Sequence, residues 1–453
     1  MAPAAMAPAA MAPHGAAGQL PLAPAANILH TLATSIRPPP VSTGSASPLF
    51  DGSSQTAPPK CHSRPTHDGV SWKHRASQVW DTVDSIWQSI QSKAGDILST
   101  YGDDSTILDQ DHIPEYVFKH APYVHLYSGE NFWPCDIADH LIHTTPHLNY
   151  TPIPSHFNLT VHNLSSLNEY GFYTYLQSDD NVESRPTWLA GTANIPSSST
   201  APQNTSTPNG HSSAPAVLLT IRKPNDVLDA FWFYFYSYNL GNKVGLRFGN
   251  HVGDWEHTLV RFTAGKPTHV FLSEHNAGEA YAWSAMEKSE GDKDRPITFS
   301  ATGSHAMYAT PGTHPYVLPW GLLHDQTDRG PLWDPTQNLY AYTYDLGRRE
   351  IKADKRNPEA PVDWFGYRGH WGDRAYPLSD ERQYRFAGQY HYVSGPLGPV
   401  YKNLDRREVC QSRGRCRIRY WLPPEGEVKV WEGGDWEGGD GEEWDEGLED
   451  LEL

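Results

Sequence analysis

Hydrophobic and polar residues follow two different spacings along this chain, and each spacing predicts a different kind of element. Over residues 78–98 the apolar positions recur every three or four residues, with mostly polar residues between them. That spacing is typical of an amphipathic helix, which carries its apolar side chains along one side. We therefore predict a helix within residues 71–105, with its apolar stripe packed on the domain that follows.

From residue 106 onward the apolar runs are short, and glycine and proline interrupt the chain too often for long helices. The runs consist largely of β-branched and aromatic residues, which favour strands. Strands are predicted at residues 217–221, 231–236, 257–262, 269–272 and 339–344, and a short helix at 136–143. The pattern predicts one mainly β domain at residues 106–424, built as a sandwich of two packed sheets. Within it, the polar residues 196–215 are predicted to form a surface loop.

The two ends of the chain differ in composition from this domain. Residues 1–70 are rich in alanine and proline, and they cannot bury enough apolar surface to offset the chain entropy lost on folding. Residues 425–453 contain thirteen acidic residues and one basic residue, Lys429, in a chain of 453 residues with a net charge of −18. We predict that both ends are disordered and that the acidic end is a solvated tail.

Charge and hydropathy argue against two classes of function. A nucleic-acid-binding protein needs a basic face, and the densest basic run here is the short segment 413–419. The longest apolar run, residues 231–236, is far shorter than the roughly 18 residues that a membrane-spanning helix requires. Prolines recur before the first basic residue, Arg37, so the sequence does not predict a secretory signal peptide. We expect no nucleic-acid partner and no transmembrane helix.

Sequons and cysteines offer possible covalent modifications. Four Asn-x-Ser/Thr sequons lie close together, at Asn149, Asn158, Asn163 and Asn204. In the secretory route these asparagines would carry surface glycans, whereas in a cytosolic protein they would stay unmodified, and the sequence leaves both possibilities open. Two of the four cysteines, Cys410 and Cys416, are close enough to predict a small disulfide-closed loop.

The densest candidate chemistry lies in residues 250–257, which read Asn-His-Val-Gly-Asp-Trp-Glu-His. Side chains alternate along a strand, so Asp254 and Glu256 are expected on one face, where they could also be simply solvated. A turn at Gly253 would bring His251 over the two carboxylates, and such an oxygen-rich set suits Mg²⁺ or Ca²⁺. The predicted metal ligands are His251, Asp254 and Glu256, with possible support from His257, Glu274, His275 and His305.

Enzymatic function finds little support in the motifs. Ser304 and His305 are adjacent, and neighbouring side chains on a strand point to opposite faces, so they cannot form a nucleophile and base pair directly. The nucleophile elbow, the phosphate-binding loop and the dinucleotide fingerprint are absent from the sequence. We assign no catalytic residue and expect a non-enzymatic protein, with hydrolysis kept as an alternative because carboxylates and histidines cluster.

Several of these runs together carry a family resemblance. They lie at residues 121–141, 143–146, 251–257, 272–275, 304–308 and 395–399. In this order they resemble the fungal and plant vacuolar protein sorting-associated protein 62 family. The resemblance implies a β-rich domain with a role in protein delivery to the vacuole, and it supplies no catalytic residues.

A second resemblance rests on a single motif. The run 250–256 is similar to the Gly-His-Arg-His-Asp-Trp-Glu heptapeptide of the necrosis- and ethylene-inducing-like proteins, secreted β-sandwiches that bind a divalent cation and plant membrane sphingolipids. The resemblance implies that His251, Asp254 and Glu256 hold the cation. This chain departs from the motif at Asn250 and Gly253. It also has Asn242-Lys243 where the family has an upstream aspartate ligand, which removes one carboxylate.

Two functional hypotheses follow from these residues and resemblances. The favoured one is a non-enzymatic protein of vacuolar sorting, associated with the vacuole or endomembranes, which recognises a membrane surface, glycolipid or cargo protein with the help of a cation. The alternative is a secreted or lumenal, lectin- or cytolysin-like β-sandwich that binds a glycosylated lipid headgroup. A cytoplasmic location also stays open.

Overall fold

The computed structural model describes residues 112–154, 158–197, 209–315, 323–386, 388–413 and 415–422. These residues all belong to one compact unit, Asp103–Leu453. The predicted helix at 71–105 and the predicted disordered ends, 1–70 and 425–453, lie outside the described residues. So do residues 198–208 of the predicted surface loop.

Strands dominate the described part of the chain, and the helices are short. The helices are α1 Glu115–Lys119, α2 Ile137–Ile142 and α3 Thr187–Ala190. Single 3₁₀ turns lie at Leu164–Tyr170, Val182–Ser184, Thr192–Asn194, Trp283–Ala285, Pro335–Gln337, Asp363–Gly366 and Pro399–Tyr401. The strands are β1 Tyr123–His125, β2 Thr144–Leu148, β3 Thr151–Pro152, β4 Thr174–Ser178, β5 Ala216–Lys223, β6 Val227–Asn239, β7 Lys243–Val244, β8 Leu246–Arg247, β9 His251–Thr263, β10 Lys266–Glu274, β11 Ala277–Ala282, β12 Ile297–Ser300, β13 Met307–Tyr308, β14 Gly312–Pro315, β15 His324–Thr327, β16 Leu332–Trp333, β17 Leu339–Asp345, β18 Glu350–Ala353, β19 Arg385–Phe386, β20 Gln389–Tyr390 and β21 Ile418–Arg419.

An eight-stranded mixed sheet forms the centre of the described residues, in the order β18-β17-β5-β6-β9-β10-β11-β21. Its two longest strands, β6 and β9, pair antiparallel from Val227 opposite Thr263 to Asn239 opposite His251. Strands β17 and β5 pair in parallel, as do β11 and β21. Strand β9 carries residues 251–257 of the motif at 250–257.

Both faces of the central sheet are buried, which explains the unbroken aromatic run in β6. Phe231, Phe233 and Phe235 pack into one hydrophobic cluster with Trp364 and Trp371. The intervening aromatic residues of β6 pack into a second cluster, together with buried residues of β1, β13 and β16. Because one face alternates with the other along a strand, a strand covered on both sides reads as continuously apolar.

A second, four-stranded sheet covers one face of the central sheet, in the order β13-β12-β1-β16. Trp333 of β16 packs on Tyr234 of β6, with ring centroids 5.2 Å apart. The Ser300 hydroxyl at the end of β12 lies 3.2 Å from the Tyr236 hydroxyl of β6. The prediction of a mainly β fold is therefore confirmed, and four small sheets of two or three strands accompany the two main ones.

The predicted helix at 136–143 corresponds to α2, where the Asp136 side chain accepts a hydrogen bond from the Ala138 amide at 2.9 Å. A carboxylate at this position satisfies an amide that the helix itself leaves unpaired. Within the described residues, none of the helices is long and apolar enough to cross a membrane.

Candidate functional site

Carboxylates and imidazoles converge at one end of the central sheet. Asp254 and Glu256 lie in β9, His275 lies in the turn between β10 and β11, and His305 lies in the loop between β12 and β13. Three elements that are distant in sequence therefore supply one cluster.

The cluster is tight enough to hold a single cation. One ligand atom from each of Asp254, Glu256 and His275 lies within 4.8 Å of the other two. The His275 Nδ1 atom is 2.9 Å from Glu256 Oε1 and 3.9 Å from Asp254 Oδ1. Both carboxylates are buried, whereas the His275 side chain is 46% exposed. The cluster therefore faces solvent on the side of His275.

The Glu256 carboxylate is held by the hairpin β10–β11. One oxygen accepts a hydrogen bond from the His275 amide at 2.7 Å, and the other accepts one from the Ser273 hydroxyl. The Ser273 hydroxyl itself accepts from the His257 amide at 2.7 Å. These bonds orient the carboxylate before any ligand arrives, as effective binding sites require.

The Asp254 carboxylate is held by His305, a buried ring that stacks on Tyr236 with centroids 3.7 Å apart. His305 Nδ1 lies 2.9 Å from Asp254 Oδ2, and Nε2 lies 3.0 Å from the Phe132 carbonyl oxygen. These two contacts fix the orientation of the ring beside the Asp254 carboxylate.

The pKa shifts in the cluster favour a protonated His275 and an ionised Asp254. Burial lowers the pKa of His275, but its hydrogen bond to Glu256 and the charges of Glu256 and Asp254 outweigh burial and raise the pKa to about 9. Burial raises the pKa of Asp254, but the hydrogen bond from His305 and the neighbouring imidazoles hold it below its usual value. The two carboxylates thus face the protonated ring of His275. A bound cation would take the place of the His275 proton.

The donor set fits a hard divalent cation. Two carboxylates and one imidazole match the oxygen-rich ligation of Mg²⁺ or Ca²⁺, with the remaining coordination positions left to water or ligand oxygens. Asp254, Glu256 and His275 are the residues that would hold it.

Two of these histidines have unusual backbone conformations. The φ angles are 56° at His275 and 57° at His305, in the left-handed region that residues with a side chain rarely adopt. Such conformations cost free energy and persist only where the surrounding structure imposes them, as at binding sites.

His251, predicted as a primary ligand, is a neighbour of the cluster and is not one of its three converging groups. Its Nδ1 atom lies 2.6 Å from the Gly253 carbonyl oxygen, and its ring centroid is 6.2 Å from that of His275. Burial lowers the pKa of His251 to about 4, so the ring is neutral. In the folded chain His275 takes the position that the sequence pattern assigned to His251.

The other predicted supporting residues do not all lie on the side of β9 that carries the cluster. His257 packs against Phe231, Phe233 and Phe271 on the opposite face, where burial and the charge of Arg406 hold its pKa well below the usual range. Glu274 precedes His275 at the end of β10 and is not one of the three converging groups. His305, also of the supporting set, contacts the predicted ligand Asp254.

Asp325 is a functional candidate that no sequence pattern identified. Its buried carboxylate accepts hydrogen bonds from Ser304 and Tyr308 at 2.8 Å and from Asn242 at 3.3 Å. Its charge also helps to raise the pKa of His275. A carboxylate from β15 thus lies beside Asn242, the position at which the chain departs from the upstream aspartate of the motif.

Gly253 occupies a position that no other residue can take without a rearrangement. Its φ angle is 74°, and a Cβ atom there would lie 2.0 Å from the Trp371 carbonyl oxygen. The main chain at Trp371 therefore passes directly over the start of β9, and His140 Nε2 bonds to the same carbonyl at 3.1 Å. Close backbone approach explains the glycine in this motif.

The predicted modification sites lie away from the cluster in sequence. Asn158 is exposed, Asn149 and Asn163 are half-buried, and Asn204 lies outside the described residues. Cys410 and Cys416 form a disulfide with Cα atoms 5.4 Å apart.

The fold and the cluster define a mainly β domain with a preformed group of carboxylates and imidazoles that suits a cation. Residues 234–330 match the family described as vacuolar protein sorting-associated protein 62. The chain is 38% identical over 358 residues to the vacuolar protein sorting-associated protein TDA6 of Saccharomyces cerevisiae, covering 71% of this chain and 74% of that one. It is 35% identical over 370 residues to vacuolar protein sorting-associated protein 62 of the same yeast, covering 74% and 75%. The chain belongs to the vacuolar protein sorting-associated protein 62 family.

Solved structures with partial similarity include necrosis- and ethylene-inducing proteins. Necrosis and Ethylene inducing Protein 2 from the causal agent of Witches Broom disease of cocoa matches with a TM-score of 0.22 and 13% identity, over 44% of this chain and 69% of that one. NLPPya in complex with mannosamine matches with a TM-score of 0.23 and 10% identity, over 52% and 75%. Scores this low carry no argument about function.

Proposed function

We propose that this protein acts in protein delivery to the vacuole as a non-enzymatic recognition domain. In this proposal Asp254, Glu256 and His275 hold a divalent cation, which binds oxygen atoms of a polar headgroup or glycan at the membrane surface. The names of the yeast relatives support the sorting role. The convergence of the three ligand atoms within 4.8 Å, at a position open to solvent, is the observation that carries the proposed site.

The surrounding residues support recognition by leaving part of the coordination shell to a ligand. Three protein groups, each binding through one atom, occupy three of the six or more coordination positions that Mg²⁺ or Ca²⁺ prefers, and a ligand can take some of the others. His305 and Ser273 hold the two carboxylates from behind, while the partly exposed His275 lies on the open side. The open side of the site, from which ligand hydroxyls would approach the cation, thus lies at the β10–β11 turn.

Cation binding is tested by titrating Ca²⁺ and Mg²⁺ into metal-free protein by isothermal calorimetry. We expect about one binding event in the unaltered protein and its loss in the Asp254→Asn, Glu256→Gln double variant, because both substitutions keep the shape and remove the charge. Asp345→Asn neutralises a carboxylate that is 43% exposed and lies outside the cluster, so this control should bind normally.

Two histidine variants test whether the third cation ligand is His275, which converges in the folded chain, or His251, which the sequence motif predicts. His275→Ala should weaken cation binding about tenfold or more, because it removes one of three ligands. His251→Ala should bind within a few-fold of the unaltered protein, because His251 Nδ1 bonds to the Gly253 carbonyl and the ring is not one of the three converging groups. Equal, sub-stoichiometric binding in all variants would overturn the proposed cation site.

A further inference from the structure

A second cavity, separate from the carboxylate cluster, is lined by positive charge. It has a volume of about 320 Å³ and is bordered by Arg185, Lys243 and Arg247, with Glu183 as the carboxylate in its wall. Such an excess of positive charge is unexpected in a chain with a net charge of −18. The volume is at the lower end of the range for small-molecule sites.

Two of the three cations face each other across the shortest hairpin of the described residues. Strands β7 and β8 place Lys243 directly opposite Arg247, with Gly245 in the turn at a φ angle of 72°. Like charges at directly opposed positions destabilise a strand pair. An anion between Lys243 and Arg247 would offset this repulsion. The opposed pair of cations therefore points to an anionic ligand.

Arg185 approaches the same cavity from another element. It ends the 3₁₀ turn Val182–Ser184 in a left-handed conformation, with a φ angle of 49°. Its guanidinium lies 5.8 Å from the centre of the Phe132 ring, which also lines the cavity. In the part of the chain that the structure describes, none of the three cations is ion-paired with a carboxylate.

The carboxylate in the wall, Glu183, contacts two aromatic residues that also line the cavity, Tyr392 and His391. Glu183 Oε1 accepts a hydrogen bond from the Tyr392 hydroxyl and lies 3.8 Å from His391 Nε2. Glu183 therefore stays on the tyrosine side of the cavity. The guanidinium of Arg247 donates to the Gly241 carbonyl through Nη1, which leaves its other N–H groups available.

The charged hairpin is anchored and does not depend on a ligand for its position. The Tyr384 hydroxyl accepts from the Arg247 amide at 3.1 Å and donates to the Arg247 carbonyl at 2.6 Å. His391 Nδ1 donates to the same carbonyl at 2.7 Å, and its ring stacks on Tyr384. The cations are thus presented by a preorganised backbone, which lowers the entropy cost of binding.

We propose that this cavity binds the phosphate group of a small phosphorylated polyol, with Arg185, Lys243 and Arg247 as the phosphate donors. Guanidinium groups match the geometry of phosphate oxygens through paired hydrogen bonds, and a lysine adds a point charge. Aromatic rings of Phe132, Tyr238 and Tyr392 line the cavity and provide an apolar wall for the carbon skeleton. The phosphate can belong to a soluble compound or to a lipid headgroup.

The side chain of Leu246, in the same hairpin, lines the cavity and is 46% exposed. An exposed apolar residue beside three cations is a combination that also suits an anionic membrane surface. The test therefore uses both soluble and membrane-bound phosphate, and the two sources give different results.

Binding is measured by calorimetry with inorganic phosphate and myo-inositol phosphate, and by co-sedimentation with phosphatidylcholine vesicles with or without phosphatidylinositol phosphate. We expect the Lys243→Gln, Arg247→Gln double variant to bind at least tenfold more weakly than the unaltered protein. The Arg348→Gln, Arg349→Gln variant removes the same charge from the turn between β17 and β18 and should bind normally. Binding of the soluble phosphates alone would identify a soluble ligand, and binding confined to the vesicles a headgroup.

Further variants and conditions distinguish loss of phosphate binding from loss of folding and from loss of the cation site. Arg185→Gln changes an exposed turn outside the hairpin, so it tests the same cavity if the double variant fails to fold. Without phosphate, Lys243→Gln should raise the melting temperature slightly, because it removes the like-charge pair. Phosphate binding should persist in chelator and in the Asp254→Asn, Glu256→Gln variant, so failure of this proposal is distinct from failure of the cation site. Equal binding by the unaltered protein and both cavity variants, or no binding of any phosphate tested, would overturn it.

Discussion

Imidazole rings at two positions of this fold have opposite protonation behaviour. The carboxylates beside the partly exposed His275 raise its pKa to about 9 against the effect of desolvation. Burial lowers the pKa of His140 to about 3, because its nearest partners are the neutral Ser237 hydroxyl and Trp371 carbonyl, each 3.1 Å away. Neighbouring charge therefore decides which of the two histidines stays protonated.

His140 makes stability depend on pH in a defined window. Its pKa of about 3 in the folded chain lies below 6.5, the ordinary value for an unfolded histidine. Between these values the unfolded state binds more protons, so stability falls as the pH drops below 6.5, by up to about 1.4 kcal/mol per pH unit. Urea unfolding at several pH values should show a shallower slope in His140→Gln than in the unaltered protein.

The control for this prediction is His162→Gln, because His162 is exposed. It should leave the pH slope of the unfolding free energy unchanged. Equal slopes in His140→Gln and the unaltered protein would show that His140 does not carry the expected proton linkage.

At the scale of elements, one buried carboxylate joins three strands of the central sheet to a distant segment. Asp229 of β6 forms a paired ion contact with Arg261 of β9 at 2.6 and 2.7 Å, and contacts Lys223 of β5 at 2.6 Å. The two cations also donate to carbonyl oxygens of Arg406, Arg407 and Glu408, which precede the Cys410–Cys416 disulfide. The network holds the disulfide-closed segment on the sheet.

Asp229→Ala should lower the unfolding free energy by about 3 to 5 kcal/mol, because it leaves two buried cations without their partner. Asp345→Ala removes a partly exposed carboxylate of the same sheet and should cost less than about 1 kcal/mol. Urea denaturation followed by tryptophan fluorescence measures both. Similar losses in the two variants would contradict a special role for the Asp229 network.

At the scale of the whole molecule, the disulfide and the sequons together bear on the cellular compartment. Disulfides persist in oxidising compartments and are rare in the cytosol. Asn158 is exposed and therefore accessible to glycosylation if the chain enters the secretory route. In a lumenal compartment the Cys410–Cys416 disulfide would persist and Asn158 could carry a glycan.

If the domain lies in the lumen, protein isolated from its own cells should migrate faster on a gel after treatment with an N-glycosidase. Asn158→Gln should lose part of that shift, because one exposed acceptor is removed. Alkylation without prior reduction should leave Cys410 and Cys416 unlabelled, since they form the disulfide. An unchanged mobility together with labelled cysteines would instead place the domain in the cytosol.

The local parts of this molecule could be predicted because their signals are local. The mainly β class, the positions of β5, β6, β9, β10 and β17, and the short helix α2 follow from neighbouring residues. The placement of Asp254 and Glu256 as a pair also follows from the alternation of side chains along a strand.

Other features depend on chain segments that meet only after folding. His275 replaces His251 in the cluster because the β10–β11 turn folds over β9, and Asp325 arrives from β15. The cavity lined by Arg185, Lys243 and Arg247 likewise forms where the β7–β8 hairpin meets the turn that Arg185 ends. The sequence by itself determined the strands, the family motif and the carboxylate pair, since these depend on spacing. Only the tertiary structure decided which histidines and cations join them, because long-range contacts set those distances.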